Sequence, residues 1–260
     1  MQNVIIPLDF SEASLNAARY AANLLSGQKE TNVILYNMFT KLNEAQTTIE
    51  YLESLKQEFI GKGLTSVEIV KEKGEDLIDS LERLAFQKAA TLIILGISGH
   101  APAALSVKGS TSLRIAERNV CPVLIIPPRA KYNGISNIAY TSDFKNIEDT
   151  PVLFIKTVLS LFKANLHIIN VNSDHYISLN ENYEAAEEQI KKMFDEYKPD
   201  FYFMHWYNFH EAINQFAIDK NIDLILIIPK YHTLINRVVS GTHTKELVYH
   251  STVPVLAIHQ

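Results

Sequence analysis

The chain has a single cysteine, Cys121, among its 260 residues, and this scarcity excludes an internal disulfide framework. Cys121 lies in an apolar run directly before a proline, a setting that is typical of a buried structural thiol and not of a nucleophile. Long hydrophobic runs are lacking too, since none approaches the roughly 18 residues that a membrane-spanning helix requires. We therefore expect neither redox chemistry nor a transmembrane segment.

Positive charge is also scarce. Lys and Arg number 24 against 29 Asp and Glu, which gives a formal net charge of −5. The sequence has no basic cluster, whereas binding to a phosphate backbone needs Lys and Arg concentrated on one face. The opening segment MQNVIIPLDF lacks the basic region and the small-residue cleavage site of a secretory signal. We expect a cytoplasmic protein that binds neither nucleic acid nor membrane.

What the sequence does contain is an internal repeat. The aligned segments are 91–127 with 223–259 and, at the openings of the two copies, 3–12 with 137–146. The spacing is 132 residues in the first pair (223 − 91) and 134 in the second (137 − 3). Two copies of one unit predict two domains, which we place at residues 1–128 and 134–260.

Short runs rich in Val, Ile and Leu alternate with helical patterns in both copies. The runs of the first copy are typical of strands, and they cover 4–9, 33–38, 66–72, 91–96 and 121–127. Most are continuous in apolar residues, as strands buried on both faces of a parallel sheet are. The predicted helices of the second copy are 149–162, 184–197, 211–220 and 242–250. This alternation predicts an α/β fold of two tandem doubly wound (Rossmann-like) domains, each with a mainly parallel five-stranded sheet and helices on both faces.

A candidate binding site follows from the ends of two predicted strands. Ligands of open α/β sheets bind beyond the carboxyl ends of the strands, where the strand order reverses. The first strand leads to Asp9, and the fourth leads to Gly96, Gly99 and then Gly109-Ser110-Thr111-Ser112. A Gly-rich turn followed by a helix N-terminus with hydroxyls suits a polyphosphate, and a neighbouring carboxylate suits ribose hydroxyls. The same residues also admit a purely structural interpretation, as caps of the helices that follow them.

The spacing Gly96-x2-Gly99-x9-Gly109-Ser110, the Pro7-x-Asp9 turn and the closing CPVLIIP resemble the nucleotide-binding universal stress protein family, here in tandem. The resemblance covers nearly the whole chain. It implies that the first domain binds ATP or a related adenine nucleotide, with Mg²⁺ as a candidate companion ion. The implied binding residues are Pro7, Leu8, Asp9, Met38, Leu95, Gly96, Gly99, Gly109, Ser110, Thr111 and Ser112. Met38 would contact adenine, and the last four would hold the phosphates.

The second copy departs from this pattern. Ile228 and Tyr231 stand where the first copy has Gly96 and Gly99, and Pro229 lies between them. A branched side chain and a phenol would fill a pocket in which backbone must approach phosphate closely. We therefore expect the second domain to have lost nucleotide binding and kept a scaffolding role. The resemblance further implies that segments 121–127 and 253–259 join the halves as an internal pseudo-dimer, with further homodimerisation left open.

Motifs of other activities are missing. The sequence has no Gly-x4-Gly-Lys-Ser/Thr P-loop, no Gly-x-Gly-x-x-Gly after the first strand and no nucleophile–base pair. Histidines gather in the second half without zinc-type spacing, so we interpret them as surface or packed residues. The leading hypothesis is a stress-response regulator or sensor with an unidentified protein partner. Two alternatives stay open: an interaction scaffold with both sites vestigial, and a slow ATPase using His100 or bound Mg²⁺.

Overall fold

The structure is a computed structural model, and it describes residues 2–97, 111–142, 144, 147–172, 181–205, 208–229 and 241–258. The chain folds into two compact units, Met1–Tyr132 and Asn133–Gln260. Among the residues described, no helix is both long and apolar enough to span a bilayer.

The first unit is a parallel sheet with its helices in the crossover connections. Its strands are β1 (Gln2–Pro7), β2 (Thr31–Phe39), β3 (Ser66–Lys73), β4 (Leu92–Gly96) and β5 (Val123–Ile126). Its helices are α1 (Glu12–Leu24), α2 (Leu42–Gly61), α3 (Leu77–Gln87) and α4 (Thr111–Ala116). The strands pair in parallel in the order β3-β2-β1-β4-β5.

The second unit repeats this architecture. Its strands are β6 (Asn137–Thr141), β7 (Asn165–Asn172), β8 (Asp200–His205), β9 (Leu224–Ile227) and β10 (Val255–Ala257). Its helices are α5 (Val152–Phe162), α6 (Glu181–Met193), α7 (Phe209–Asp219) and α8 (Gly241–His250). The parallel order β8-β7-β6-β9-β10 matches that of the first unit element by element. The predicted fold class of two tandem doubly wound α/β units is confirmed.

Side-chain hydrogen bonds repeat along with the strands. At the amino end of the first sheet, the amide of Asn32 donates to the side-chain oxygen of Asn3 at 3.1 Å. In the second sheet Asn165 donates in the same way to Asn137 at 3.0 Å. Each amide therefore ties the first strand of its unit to the second, and this pairing helps to fix the strand register.

Two helices of the second unit differ from their predicted bounds by three residues or more. The helix predicted over 149–162 begins only at Val152, after a 3₁₀ turn at Ile147–Asp149 and the cap residue Pro151. Proline disfavours the helical conformation in the residue before it, here Thr150, so the helix begins only after Pro151. The helix predicted over 184–197 ends at Met193 and is followed by a separate 3₁₀ turn, Asp195–Tyr197.

Candidate functional site

A cavity of about 580 Å³ opens in the first unit at the carboxyl ends of β1 and β4. The chain leaves β1 towards β2 and β3 on one side, and β4 leads to β5 on the other. The cavity therefore lies at the point where the strand order reverses, the usual ligand site of doubly wound sheets. Its volume falls within the range of about 300–1,000 Å³ that is typical of small-molecule sites.

The cavity brings together every predicted binding residue that the structure describes. These are Pro7, Leu8, Asp9, Met38, Leu95, Gly96, Thr111 and Ser112. Gly99, Gly109 and Ser110 lie outside the described residues, as does Tyr231 of the second unit. The predicted set thus comes from the carboxyl ends of β1, β2 and β4 and from the start of α4, segments that are far apart in sequence and meet at one edge of the sheet.

Sequence reasoning missed six of the lining residues: Ser11, Glu12, Ala13, Ser14, Leu77 and Ile97. The first four form the cap and first turn of α1, and Leu77 opens α3. A signal for them was present, because a helix that follows a parallel strand must begin at the carboxyl edge of the sheet. The N-terminus of α1 therefore lies at the same cavity as α4.

Asp9 is part of the cap of α1. Its Oδ1 accepts hydrogen bonds from the Ser11 backbone N–H at 3.0 Å and from the Ser11 hydroxyl at 2.6 Å. Ser11 in turn accepts a hydrogen bond from the Ser14 N–H at 3.2 Å. Burial raises the pKa of Asp9, but hydrogen bonds from Ser11 and Ser14 outweigh it and lower the pKa below 3.8. Asp9 is an exposed carboxylate that holds the helix start at the cavity and is ionised at neutral pH.

Gly96 is required by packing within the protein. A Cβ on Gly96 would lie 2.1 Å from the carbonyl oxygen of Ala13 and 2.5 Å from its carbonyl carbon. Both are backbone atoms in the first turn of α1, so they have little freedom to move away. The absence of a side chain at Gly96 lets α1 start directly against the end of β4.

The two described hydroxyl residues of α4 have different environments. Ser112 is buried, and its hydroxyl donates to the Gly96 carbonyl at 3.0 Å, which ties α4 to the end of β4. Thr111, the first residue of α4, is exposed and lines the cavity. Thr111 is therefore the better placed of the two to touch a ligand.

A buried asparagine fixes the β1 end of the cavity. The Asn37 amide donates to the Leu8 carbonyl at 2.8 Å. The Asn37 side-chain oxygen accepts from the Thr48 hydroxyl on α2 at 3.3 Å, and Thr48 accepts from the Lys71 ammonium on β3 at 2.7 Å. These contacts hold the backbone next to Asp9 in one position.

The described part of the lining has one apolar side and one polar side. Leu8, Met38 and Leu77 lie towards β2 and α3, whereas the hydroxyls belong to α1 and α4. Asp9 and Glu12 are the charged residues of this part of the lining, which includes no Lys or Arg. Over the described residues, no group of three or more His, Cys, Asp or Glu is arranged to hold a metal ion. The arrangement suits a ligand that has a flat apolar ring and a polar group that binds together with a cation.

Comparisons with known proteins bear on the family and the fold of the chain. Residues 1–127 match the model of the universal stress protein family. The whole chain is similar in structure to a universal stress protein from Archaeoglobus fulgidus, with a TM-score of 0.74 and 18% identity over 99% of this chain and 96% of that one. A protein from Pseudomonas aeruginosa described as a putative universal stress protein gives a TM-score of 0.66 and 17% identity over 100% and 93%.

The first unit belongs to the universal stress protein family, and the second unit repeats its fold. A single-domain universal stress protein solved in complex with cAMP covers 48% of this chain and 96% of its own, with 22% identity and a TM-score of 0.43. The comparison with curated protein sequences found no match. The two likenesses over the whole chain, with TM-scores of 0.74 and 0.66, establish its fold.

Proposed function

We propose that the first unit binds ATP or a related adenine nucleotide, together with Mg²⁺, and that the protein acts as a stress-response regulator or sensor in the cytoplasm. The observation that carries the proposal is the cavity at the strand-order reversal, whose lining includes all the described residues that the family resemblance implies. In this proposal residues 1–128 form the binding domain and residues 134–260 form a scaffold. Pairing of the two through segments 121–127 and 253–259 stays a prediction.

The base would bind on the apolar side of the cavity. Leu8 is 3% exposed and forms part of a firm wall, while the Met38 thioether offers a polarisable surface that suits an aromatic ring. The ribose hydroxyls would then lie near Asp9, whose lowered pKa keeps the carboxylate available as an acceptor at neutral pH.

Charge in the described lining favours a nucleotide that carries a divalent cation. Asp9 and Glu12 would repel a bare polyphosphate, since no Lys or Arg is among the described lining residues. Mg²⁺ prefers carboxylate and phosphate oxygens and keeps several waters, so one or two carboxylates with the phosphates suffice to hold it. Glu12, in the first turn of α1, fits this role. Mg²⁺ would convert repulsion at this side of the cavity into attraction.

Calorimetry of the full chain with ATP and Mg²⁺ tests the proposal, and one site per chain is expected. Thr111→Trp should abolish the heat of binding, because an indole at the start of α4 would occupy the cavity. Thr65→Trp is the matched control, since Thr65 is exposed and precedes β3 at the opposite edge of the same sheet. No heat with any adenine nucleotide would contradict the proposal and favour the scaffold hypothesis.

The role of Mg²⁺ is tested separately. Glu12→Gln should reduce the affinity for ATP in the presence of Mg²⁺ and raise the weaker affinity in excess chelator, because it removes one of the two charges that repel the bare phosphates. Glu30→Gln, an exposed position before β2, is the control. Equal affinities with and without Mg²⁺ in the unsubstituted protein would remove the ion from the proposal. Release of inorganic phosphate over hours would instead support the slow ATPase.

A further inference from the structure

We propose that Gly74, which does not line the cavity, determines which bases the cavity accepts, because its lack of a side chain lets Met38 stay clear of the base. The inference rests on the proposed function and adds to it a preference for purine over pyrimidine nucleotides. Gly74 would thus be a positioning residue that acts through Met38.

Backbone conformation does not explain why residue 74 is a glycine. Its φ lies outside the left-handed region, whereas Gly27, Gly63 and Gly134 have positive φ values. The local space does explain it. A Cβ on Gly74 would lie 2.8 Å from the Met38 sulfur, 3.2 Å from Met38 Cγ and 3.3 Å from the Ser80 hydroxyl. The first of these distances is too short for any real contact, so one of the neighbours must move.

The backbone at residue 74 is held in place. Its N–H donates to the Phe39 carbonyl at 3.1 Å, which fixes the chain beyond β3 against the end of β2. Met38 is the residue next to Phe39 on β2, so the same hydrogen bond sets the distance between Gly74 and Met38. Gly74 therefore cannot withdraw from Met38 without breaking the end of the sheet.

A polar network backs the other side of this contact. Ser80 is buried on α3, and Arg83 donates to its hydroxyl at 3.5 Å and also pairs with Glu72. Glu72 accepts a hydrogen bond from the buried Tyr36 hydroxyl at 3.1 Å. Four connected polar side chains are costly to displace, because each would lose its partner in a partly buried setting.

Met38 is the neighbour that can move. Its side chain is unbranched with three rotatable bonds, it is partly exposed, and it lines the cavity. With the backbone of residue 74 fixed on one side and the Ser80 network behind, the open direction is the cavity. Adding one methyl group at residue 74 should push Met38 towards Leu77 and Leu8 and narrow the apolar side.

A narrower apolar side penalises a bicyclic base more than a monocyclic one. One methylene more or less in a hydrophobic pocket changes discrimination by roughly 10–200-fold. We therefore expect Gly74→Ala to weaken ATP and GTP by at least about tenfold and CTP and UTP by no more than about twofold. Gly61→Ala is the matched control, because a Cβ there meets nothing within 4 Å and its φ is not positive.

A double substitution shows whether the effect passes through Met38. In Met38→Ala the Cβ at residue 74 has room, so Met38→Ala/Gly74→Ala should bind all four nucleotides as Met38→Ala alone does. A spectroscopic readout accompanies this test, because the chain has only 4 methionines. In Gly74→Ala without nucleotide, the methyl resonance of Met38 should shift, while those of Met193 and Met204 in the second unit should not.

Each outcome decides the matter. If the unsubstituted protein binds no nucleotide, the proposed function fails and this inference falls with it. If the unsubstituted protein binds ATP but Gly74→Ala lowers purine and pyrimidine affinities equally, the inference about Gly74 is wrong and the proposed function stands. The same holds if the double variant binds nucleotides more weakly than Met38→Ala does.

If Gly74→Ala does not fold, the test uses Met38→Ala and an ATP analogue enlarged by a benzyl group on the base. Met38→Ala should accept this analogue and the unsubstituted protein should reject it, and equal rejection overturns the inference.

Discussion

In both units an asparagine on the second strand donates its amide to the carbonyl of the residue that follows the first strand. Asn37 bonds to Leu8 and Asn170 bonds to Ser142, each at 2.8 Å. Both units also have a phenylalanine in the left-handed region shortly after this point, Phe10 with φ of 61° and Phe144 with φ of 58°. A bulky residue is rarely found there. The repeat therefore preserves backbone detail, and not only the order of strands.

The two units differ where a ligand would bind. Gly96 ends β4 against the first turn of α1, whereas its equivalent by a spacing of 132 (228 − 96), Ile228, has a branched side chain. The second unit has a 3₁₀ turn, Ile147–Asp149, in place of that helical turn, and α5 begins only at Val152. The second unit can hold a branched side chain at residue 228 because its helix α5 begins later than α1 does in the first unit. The comparison teaches that one glycine permits a helix N-terminus at the cavity.

The largest effect is expected from a substitution that breaks this difference. Gly96→Ala would place a Cβ 2.1 Å from the Ala13 carbonyl oxygen, and the backbone of α1 must move to relieve the overlap. We expect the free energy of unfolding of the first unit to fall by at least about 3 kcal/mol. Urea unfolding followed by circular dichroism measures it.

Two further variants sharpen this prediction. Gly61→Ala should raise the free energy of unfolding by about 0.5–1 kcal/mol, because a helical glycine with open space around it favours alanine. Ile228→Gly should not create nucleotide binding in the second unit, since α5 would still begin at Val152. Full stability in Gly96→Ala would refute the close approach of α1 to β4.

The next largest effect concerns the two equivalent asparagines, Asn37 and Asn170, and it separates their structural role from the role of Asn37 at the cavity. Asn37→Ala and Asn170→Ala should each lower the free energy of unfolding by about 1–3 kcal/mol, because each leaves a carbonyl without its donor. Asn37→Ala should in addition weaken ATP, since Leu8 lines the cavity. Asn170→Ala should leave ATP affinity unchanged, as measured by calorimetry at a temperature where both variants are folded. Equal loss of affinity in both would contradict binding in the first unit alone.

A smaller effect should appear as a pH dependence of the second unit. His167 on β7 is 8% exposed, and burial lowers its pKa below 6.5, with the nearby Asp200 opposing the shift and Lys220 adding to it. Its equivalent in the first unit by a spacing of 133 (167 − 34) is the buried Ile34. As pH falls below about 6.5, the unfolded chain binds a proton that the folded unit resists, so stability decreases until the folded pKa is reached.

The measurement is urea unfolding between pH 7.5 and pH 5. His167→Leu should remove this part of the pH dependence, since an apolar side chain at this position has a precedent in Ile34. His210→Leu, at the partly buried ring that stacks on His250 at 4.5 Å, reports how much the other histidines contribute. A pH dependence that His167→Leu leaves intact would assign it elsewhere.

Much of the fold could be predicted from the sequence, because continuous apolar runs and helix caps are local signals and the repeat is visible in the sequence itself. The strands of both units and the cavity residues at the ends of β1 and β4 were reached in this way, whereas Met38 on β2 was implied by the family resemblance. The first turn of α1 at the cavity, the clash that Gly96 avoids and the contact between Gly74 and Met38 were not predicted. Each depends on a distance between segments far apart in sequence, such as the 2.8 Å from a Cβ at residue 74 to the Met38 sulfur. Composition and periodicity carry no such distances.

The smallest effect concerns the ends of α3 and α7, which close with the same hydrogen bonds around different residues. In the first unit the N–H of Ala90 donates to Ala85 at 2.8 Å around Ala89, which has φ of 47°. In the second, Ile222 donates to Ala217 at 2.8 Å around Asn221, with φ of 50°. Alanine is strained in this left-handed position, whereas glycine and asparagine accept it.

We therefore expect Ala89→Gly to raise the free energy of unfolding by about 1 kcal/mol and Ala89→Asn to raise it by about 0.5 kcal/mol. Asn221→Ala should lower the free energy of unfolding by about 0.5 kcal/mol. Ala89 is exposed, so packing does not obscure the comparison. A destabilised Ala89→Gly in urea unfolding would mean that the left-handed turn after α3 is not formed in solution.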